Sequence, residues 1–225
     1  MDISFLISTN RPELANVVID YLNKIGSCED YKYEICVFSP TTFGQRNVVN
    51  FHDKGGGPLY GFNLMGQRSK GNTLCVLVDD HLPSYNIFSI INFLKNDIFL
   101  DRKMRISTLK SGSSCWIPQG PPFPDKVEDL KDSKILMLRW PILTRDTLHD
   151  YLNGHIFHPS FQYHWADNYL SYYVNKIDGN PVECNFVKLY QVINTPKYND
   201  VFDIEDYYIF RELVNKLGLG QEEYI

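Results

Sequence analysis

The chain has 225 residues, 44% of them hydrophobic, which is enough to bury one sizeable core, and no composition break marks a linker. A net charge of −5 without a run of Lys or Arg disfavours a nucleic-acid partner held by phosphate neutralisation. The N-terminus MDISFLISTN has neither a basic n-region nor a long apolar h-region, and no stretch approaches the ~18 apolar residues of a membrane span.

The five cysteines, Cys28, Cys36, Cys75, Cys115 and Cys184, form no CxxC pair. They read as thiols of a reducing compartment, so the expectation is a cytoplasmic protein without disulfides or structural zinc.

Ile3 to Ile7 is a short apolar run and reads as a buried strand. Asn10 and Glu13 have the spacing of a capping box, and Pro12 suits a first helical turn. Leu14, Val17, Val18, Tyr21, Leu22 and Ile25 then give one apolar helix face, with Gly26 as the stop. Tyr33 to Phe38 reads as a second strand, ended by Ser39-Pro40. Leu74 to Val78 reads as a third, continuously apolar as a strand covered on both faces should be. Strand, helix, strand predicts a right-handed βαβ unit.

Pro83 and Ser84 open another helix, with Ile87, Ile90, Ile91 and Leu94 on one face. Ser111 to Pro124 is rich in Ser, Gly and Pro and reads as a loop. Ile135 to Leu138 is a candidate fourth strand. Asn168 to Lys176 is a short helix before the turn Asp178-Gly179-Asn180-Pro181. Phe186 to Ile193 is a late strand, and Phe210, Leu213, Val214 and Leu217 mark a terminal helix ending near Gly218. The pattern is α/β, with a mostly parallel sheet in its N-terminal half.

Open α/β sheets bind ligands outside the carboxyl ends of their strands. That singles out Ser8 to Arg11, Ser39 to Thr42, and Asp79 to His81. Carboxylate oxygens suit Mg²⁺ or Mn²⁺, and the imidazole of His81 tilts the choice towards Mn²⁺. The same tripeptide also reads as a polar turn, or as a cap for the helix near Pro83. Asp167 stands before a helix and reads either as an N-cap or as a general base. His155, His158 and His164 have no standard zinc spacing. Gly55-Gly56-Gly57 with Gly61 does not follow a predicted strand directly and lacks the third spacing of a dinucleotide fingerprint.

Gly61-Phe62-Asn63-Leu64-Met65-Gly66 leads through Ser69-Lys70-Gly71-Asn72 into the third strand and its terminal Asp79-Asp80-His81. ISFLISTNRPE supplies a first strand and turn. Downstream come Leu152-Asn153-Gly154, Phe161, the run His164-Trp165-Ala166-Asp167-Asn168-Tyr169-Leu170, and Lys176 to Gly179. In order and spacing these segments resemble the family-two glycosyltransferases and their GT-A relatives, over about residues 1 to 180. Three positions depart from that pattern. Ser39-Pro40 stands where the family's second strand usually ends in an Asp, His81 stands at the last acidic position of the Asp-x-Asp motif, and Ala166 leaves Asp167 without an acidic partner.

The resemblance implies a GT-A-type α/β domain over residues 1–225, with a nucleotide-sugar-binding half at 1–82 and an acceptor-side half at 83–225. It implies transfer of a sugar from a nucleoside diphosphate donor to a hydroxyl of a glycan, lipid, protein or modified nucleic acid, with inversion and with Mn²⁺ or Mg²⁺ as cofactor. Thr9, Asn10, Arg11, Ser39, Asn63, Asp79 and Asp80 would bind the nucleotide sugar, and Asp80 and His81 the metal. Asp167 would be the base, and Trp140, His164 and Trp165 would meet the acceptor. The alternatives are a non-catalytic nucleotide-sugar-binding module and a nucleotidyltransferase of related fold.

Overall fold

In the computed structural model, residues 1–27, 30–100, 102–111, 138–163, 165–178, 182–191 and 204–218 are described. Strand β1, Ile3–Ser8, is buried from Ile3 to Ile7, and its alternation sorts the apolar side chains into two cores. Phe5 and Ile7 enter one core with Val18, Ile19 and Leu22 of helix α1, Pro12–Gly26. Leu6 enters the other. The expected capping box does not form, because Arg11 holds the cap position and makes no side-chain cap bond. Asn10 is exposed instead, and the Thr9 hydroxyl closes the turn by accepting the Arg11 N–H at 2.8 Å.

Parallel strands β2, Tyr33–Ser39, and β4, Thr73–Leu77, flank β1 on its two sides. Ile7 lies level with both Val37 and Leu77, so the three carboxyl ends share one ledge. Strand β3, Val48–His52, extends this parallel half beyond β2. It is short and half exposed, without the apolar run that marked its neighbours.

The eight-stranded order is β3-β2-β1-β4-β7-β6-β8-β5. Beyond β4 the directions mix. Strand β7, Pro141–Thr144, is antiparallel to β4 and to β6, Ile106–Ser111, while β6 runs parallel to β8, Val182–Gln191. The three-residue β5, His81–Pro83, closes the row antiparallel to β8. Short strands such as β5 and β7 carry too little periodicity to be read from sequence. The expected strand at Ile135–Leu138 falls almost wholly outside the described residues, as does the predicted loop after Ser111. Leu138 itself is buried and outside any strand.

Helix α3, Ile87–Phe93, buries Ile87, Ile90 and Ile91 on the α1 face of the sheet, and a π-helical turn, Leu94–Ile98, follows it. The other face carries α2, Gly57–Arg68, α4, Arg145–Asp150, α5, Ala166–Asp178, and α6, Ile204–Gly218.

Two polar fasteners lie at the opposite edge from the ledge. The Arg145 guanidinium donates to the carbonyls of Gly66 (3.0 Å), Ser69 (2.7 Å) and Gly71 (2.9 Å), capping the end of α2 with a cation. Buried Glu34 accepts from the Ser4 hydroxyl at 2.7 Å and from the Lys70 N–H.

Candidate active site

The ledge collects all three sheet-edge segments picked out in the sequence. The Thr9 N–H donates to the Phe38 carbonyl (3.0 Å), joining the ends of β1 and β2. Ser39 is buried there, with its hydroxyl accepting the Thr41 N–H at 3.1 Å.

Asp79 is only 5% exposed and is held from two sides. The Thr9 hydroxyl donates to Oδ2 at 2.6 Å. Arg11 Nε donates to the same oxygen at 3.0 Å, and its Nη2 donates to Oδ1. This bidentate fork raises the pKa of Arg11 above its ordinary value, chiefly through the hydrogen bond to Asp79. The same Nη2 stands 3.4 Å from Asp80 Oδ2. The sequence placed Arg11 in the nucleotide pocket. Its side-chain partner, 68 residues away, is visible only in three dimensions.

From Asp80 a chain of contacts crosses the ledge. Asp80 Oδ1 is 2.6 Å from His81 Nδ1. The His81 ring lies 5.5 Å from that of Trp140, and the Arg139 guanidinium stands 5.6 Å from the Trp140 ring centroid. Arg139 Nε is 3.6 Å from Asp167 Oδ2. The metal-side and acceptor-side candidates thus face one another through Trp140 and Arg139. No sequence signal pointed to Arg139, which lies outside every motif.

Asp167 is not the helix cap. Helix α5 begins at Ala166, and the preceding Trp165, at φ 63°, accepts the Tyr169 N–H through its carbonyl at 2.8 Å. Asp167 sits in the first turn, where Oδ1 accepts the Asn168 N–H at 3.0 Å.

Other candidates have different surroundings. Asn63 is buried in α2, and its amide is spent on Phe157, donating to the carbonyl (2.7 Å) and accepting the N–H (2.9 Å). It fastens α2 to the segment before α5. Trp165 packs on α6 against Tyr207 and Phe210. Trp140 is buried beside His81. His164 lies outside the described residues. His158 is buried between Phe161 and Tyr169, and burial pushes its pKa down to about 4.

Among the described residues no three ligating side chains converge on one point. Both Asp79 oxygens are held by Thr9 and Arg11, whereas Asp80 meets His81 through Oδ1 and Arg11 only distantly through Oδ2, so Asp80 and the second nitrogen of His81 are the less engaged protein donors. Such a pair fits Mg²⁺ or Mn²⁺, which are commonly bound by one or two side chains together with substrate phosphates.

The fold is GT-A-like, a mostly parallel central sheet flanked by helices, as in solved glycosyltransferases. Residues 1–349 of S. aureus TarS in complex with UDP-GlcNAc match with TM-score 0.65 at 14% identity, over 95% of this chain and 65% of that one. The UDP complex of the same protein matches with TM-score 0.64 at 15% identity, over 95% and 64%. The mannosyltransferase PcManGT from Pyrobaculum calidifontis, in complex with GDP-Man and Mn²⁺, matches with TM-score 0.58 at 10% identity, over 88% and 58%. The chain therefore spans somewhat under two thirds of these solved chains, and 41% of the longer S. aureus TarS structure. No protein-family profile and no curated sequence matches it significantly. No helix among the described residues is long and apolar enough to cross a membrane.

Proposed function

We propose that the protein is a family-two-like glycosyltransferase that moves a sugar from a nucleoside diphosphate donor to a hydroxyl acceptor. The observation that supports this reading is the contact path Asp80–His81–Trp140–Arg139–Asp167, which links the acidic motif after β4 to the carboxylate in the first turn of α5. The nucleotide sugars held by fold neighbours, UDP-GlcNAc and GDP-Man, support the donor class.

In this reading Thr9 and Asp79 fix Arg11 at the mouth of α1, where its guanidinium and the helix N-terminus receive the diphosphate. Ser39 lines the nucleotide side. Two carboxylates against one guanidinium leave the pocket with surplus negative charge, and a diphosphate adds more. A divalent cation held by Asp80 and His81 would neutralise charge on the departing diphosphate. Asp167 accepts the proton of the acceptor hydroxyl as that oxygen attacks the anomeric carbon, and Arg139 orients the carboxylate. A single base opposite the leaving group gives inversion at the sugar.

A thermal-shift screen of nucleoside diphosphate sugars with and without Mn²⁺, followed by turnover of the best donor, tests the proposal. Binding stabilises by RT ln(1 + [L]/Kd), so a ligand at ~100 Kd contributes ~2.7 kcal/mol. Stabilisation that grows with Mn²⁺, together with donor consumption, is expected. No response to any donor overturns the reading. Stabilisation without consumption identifies a binding module of the same fold.

A further inference from the structure

The glycine run Gly55–Gly57 follows β3 after two residues and builds a surface of its own. It adjoins the ledge, since the Asp53 N–H donates to the Ser39 carbonyl at 3.1 Å. The Asp53 carboxylate folds the run by accepting the N–H groups of Gly55 (2.7 Å) and Gly56 (3.2 Å). Gly55 and Gly57 take φ of 96° and 74°, which side-chain-bearing residues rarely adopt.

Two tyrosine rings rest on this glycine floor. A Cβ at Gly56 would stand 2.3 Å from the Tyr60 ring, so the ring occupies space that any side chain there would need. A Cβ at Gly57 would reach the Tyr163 ring at 3.7 Å. Tyr60 also meets Phe38 edge-on, with centroids 6.0 Å apart, and the Tyr163 N–H is anchored on Asp206 at 2.9 Å. Phe38 backs the Tyr60 ring and Asp206 anchors the Tyr163 backbone, while Tyr60 is 54% and Tyr163 58% exposed. Asp53, which folds the floor, also bonds Ser39 at the end of β2, and Tyr163 stands four residues before Asp167 in the chain.

We propose that Tyr60 and Tyr163 form an acceptor subsite that stacks a neutral pyranose ring. The proposal rests on the glycosyltransferase reading. Aromatic faces carry partial negative charge and attract the partly positive C–H faces of a sugar, while phenol hydroxyls bond its rim. The glycines bring no side chains of their own and the charge beside them is the Asp53 carboxylate, which suits a neutral ring better than a phosphate. The subsite belongs to the acceptor because Tyr163 leads directly into the segment that carries Asp167, the group the acceptor hydroxyl must reach. The Tyr60 ring, already backed by Phe38, loses little freedom on binding.

Saturation-transfer NMR of the full chain with methyl glycopyranosides of the gluco, galacto, manno and N-acetylglucosamine series, in the absence of donor, tests this. UDP and GDP are titrated in parallel. At least one pyranoside should bind the wild type. Tyr60→Ala and Tyr163→Ala should each weaken that binding about two- to tenfold, the Phe variants should keep most of it, and nucleotide affinity should stay within twofold throughout. Absence of pyranoside binding in the wild type overturns the proposal, as does binding that survives the double Ala variant. So does a tenfold loss of nucleotide affinity with pyranosides unaffected, which would make the rings a base clamp. Should the double variant unfold, the single variants carry the same readout. Failure of every nucleotide to bind would sink the donor assignment separately, because the pyranoside measurement needs no donor.

Discussion

Arg11 and Asp79 form a two-pronged ion pair across 68 residues of sequence, with Thr9 bracing the same carboxylate. The first residue of the acidic motif is therefore committed to a protein cation. In the proposed function its role towards the donor would run through Arg11, and the two side chains should act as one unit.

Arg11→Ala and Asp79→Asn should each weaken donor binding by about 1.5–3 kcal/mol, the usual range for hydrogen bonds to charged groups. The double variant should be little worse than either single one, because breaking the pair twice removes nothing new. Isothermal titration of the three variants gives the coupling, and strictly additive losses would show that the residues meet the donor independently.

Metal dependence should follow a different pair. Asp80→Asn and His81→Ala should abolish Mn²⁺-dependent stabilisation by donor, while Asp79→Asn keeps the Mn²⁺ response at saturating donor. Direct Mn²⁺ titration by electron paramagnetic resonance checks the same order. Complete loss of Mn²⁺ binding in Asp79→Asn would place that carboxylate among the ligands.

Asp167→Asn should keep its melting temperature and donor affinity, because the cap position belongs to Trp165 and Asp167 lies within the helix. Its kcat should fall ~10²–10⁴-fold, the usual contribution of a general base. Transfer near the wild-type rate would remove Asp167 from the chemistry.

Arg145→Met tests the fastening of α2. It keeps much of the side-chain volume but strips three carbonyls of their donor. A loss of about 2–4 kcal/mol in urea unfolding is expected, with donor affinity preserved in the folded fraction. A loss below about 0.5 kcal/mol would mean that water replaces the guanidinium without cost.

His158 predicts an acid weakness. Burial lowers its folded pKa to about 4, against 6.5 for the ordinary side chain. The unfolded chain therefore binds the proton first, and stability present above pH 6.5 drains away as pH falls towards 4. His158→Gln should flatten the unfolding free energy across that window. An unchanged slope would assign the acid sensitivity to other groups.

The parallel half of the sheet was legible because β1, β2 and β4 are short, mostly apolar runs with polar residues at or just past their carboxyl ends. Helices α1 and α3 were legible through their three/four spacing. The expected capping box failed because Arg11 takes the cap position and sends its side chain to Asp79, a partner that local spacing cannot reveal. Strands β3, β5 and β7 escaped because each is short, and β5 and β7 pair with strands remote in sequence. Asn63 drew attention as part of a motif, but its amide serves the Phe157 backbone. Arg139 was invisible, since one arginine beside a tryptophan gains meaning only when Asp167 arrives from another segment.

His81 opens β5, whose backbone is paired with the far end of β8, His81 standing opposite Gln191. Every side chain assigned to the ledge precedes residue 170 in the chain. A truncation that removed β8 would thus delete none of the chemistry and still unmoor the imidazole, leaving a protein with all its reactive groups and no fixed distance between Asp80 and Trp140. Strand β8 would act as a ruler for the site, and C-terminal truncations should lose function before they reach the last reactive residue.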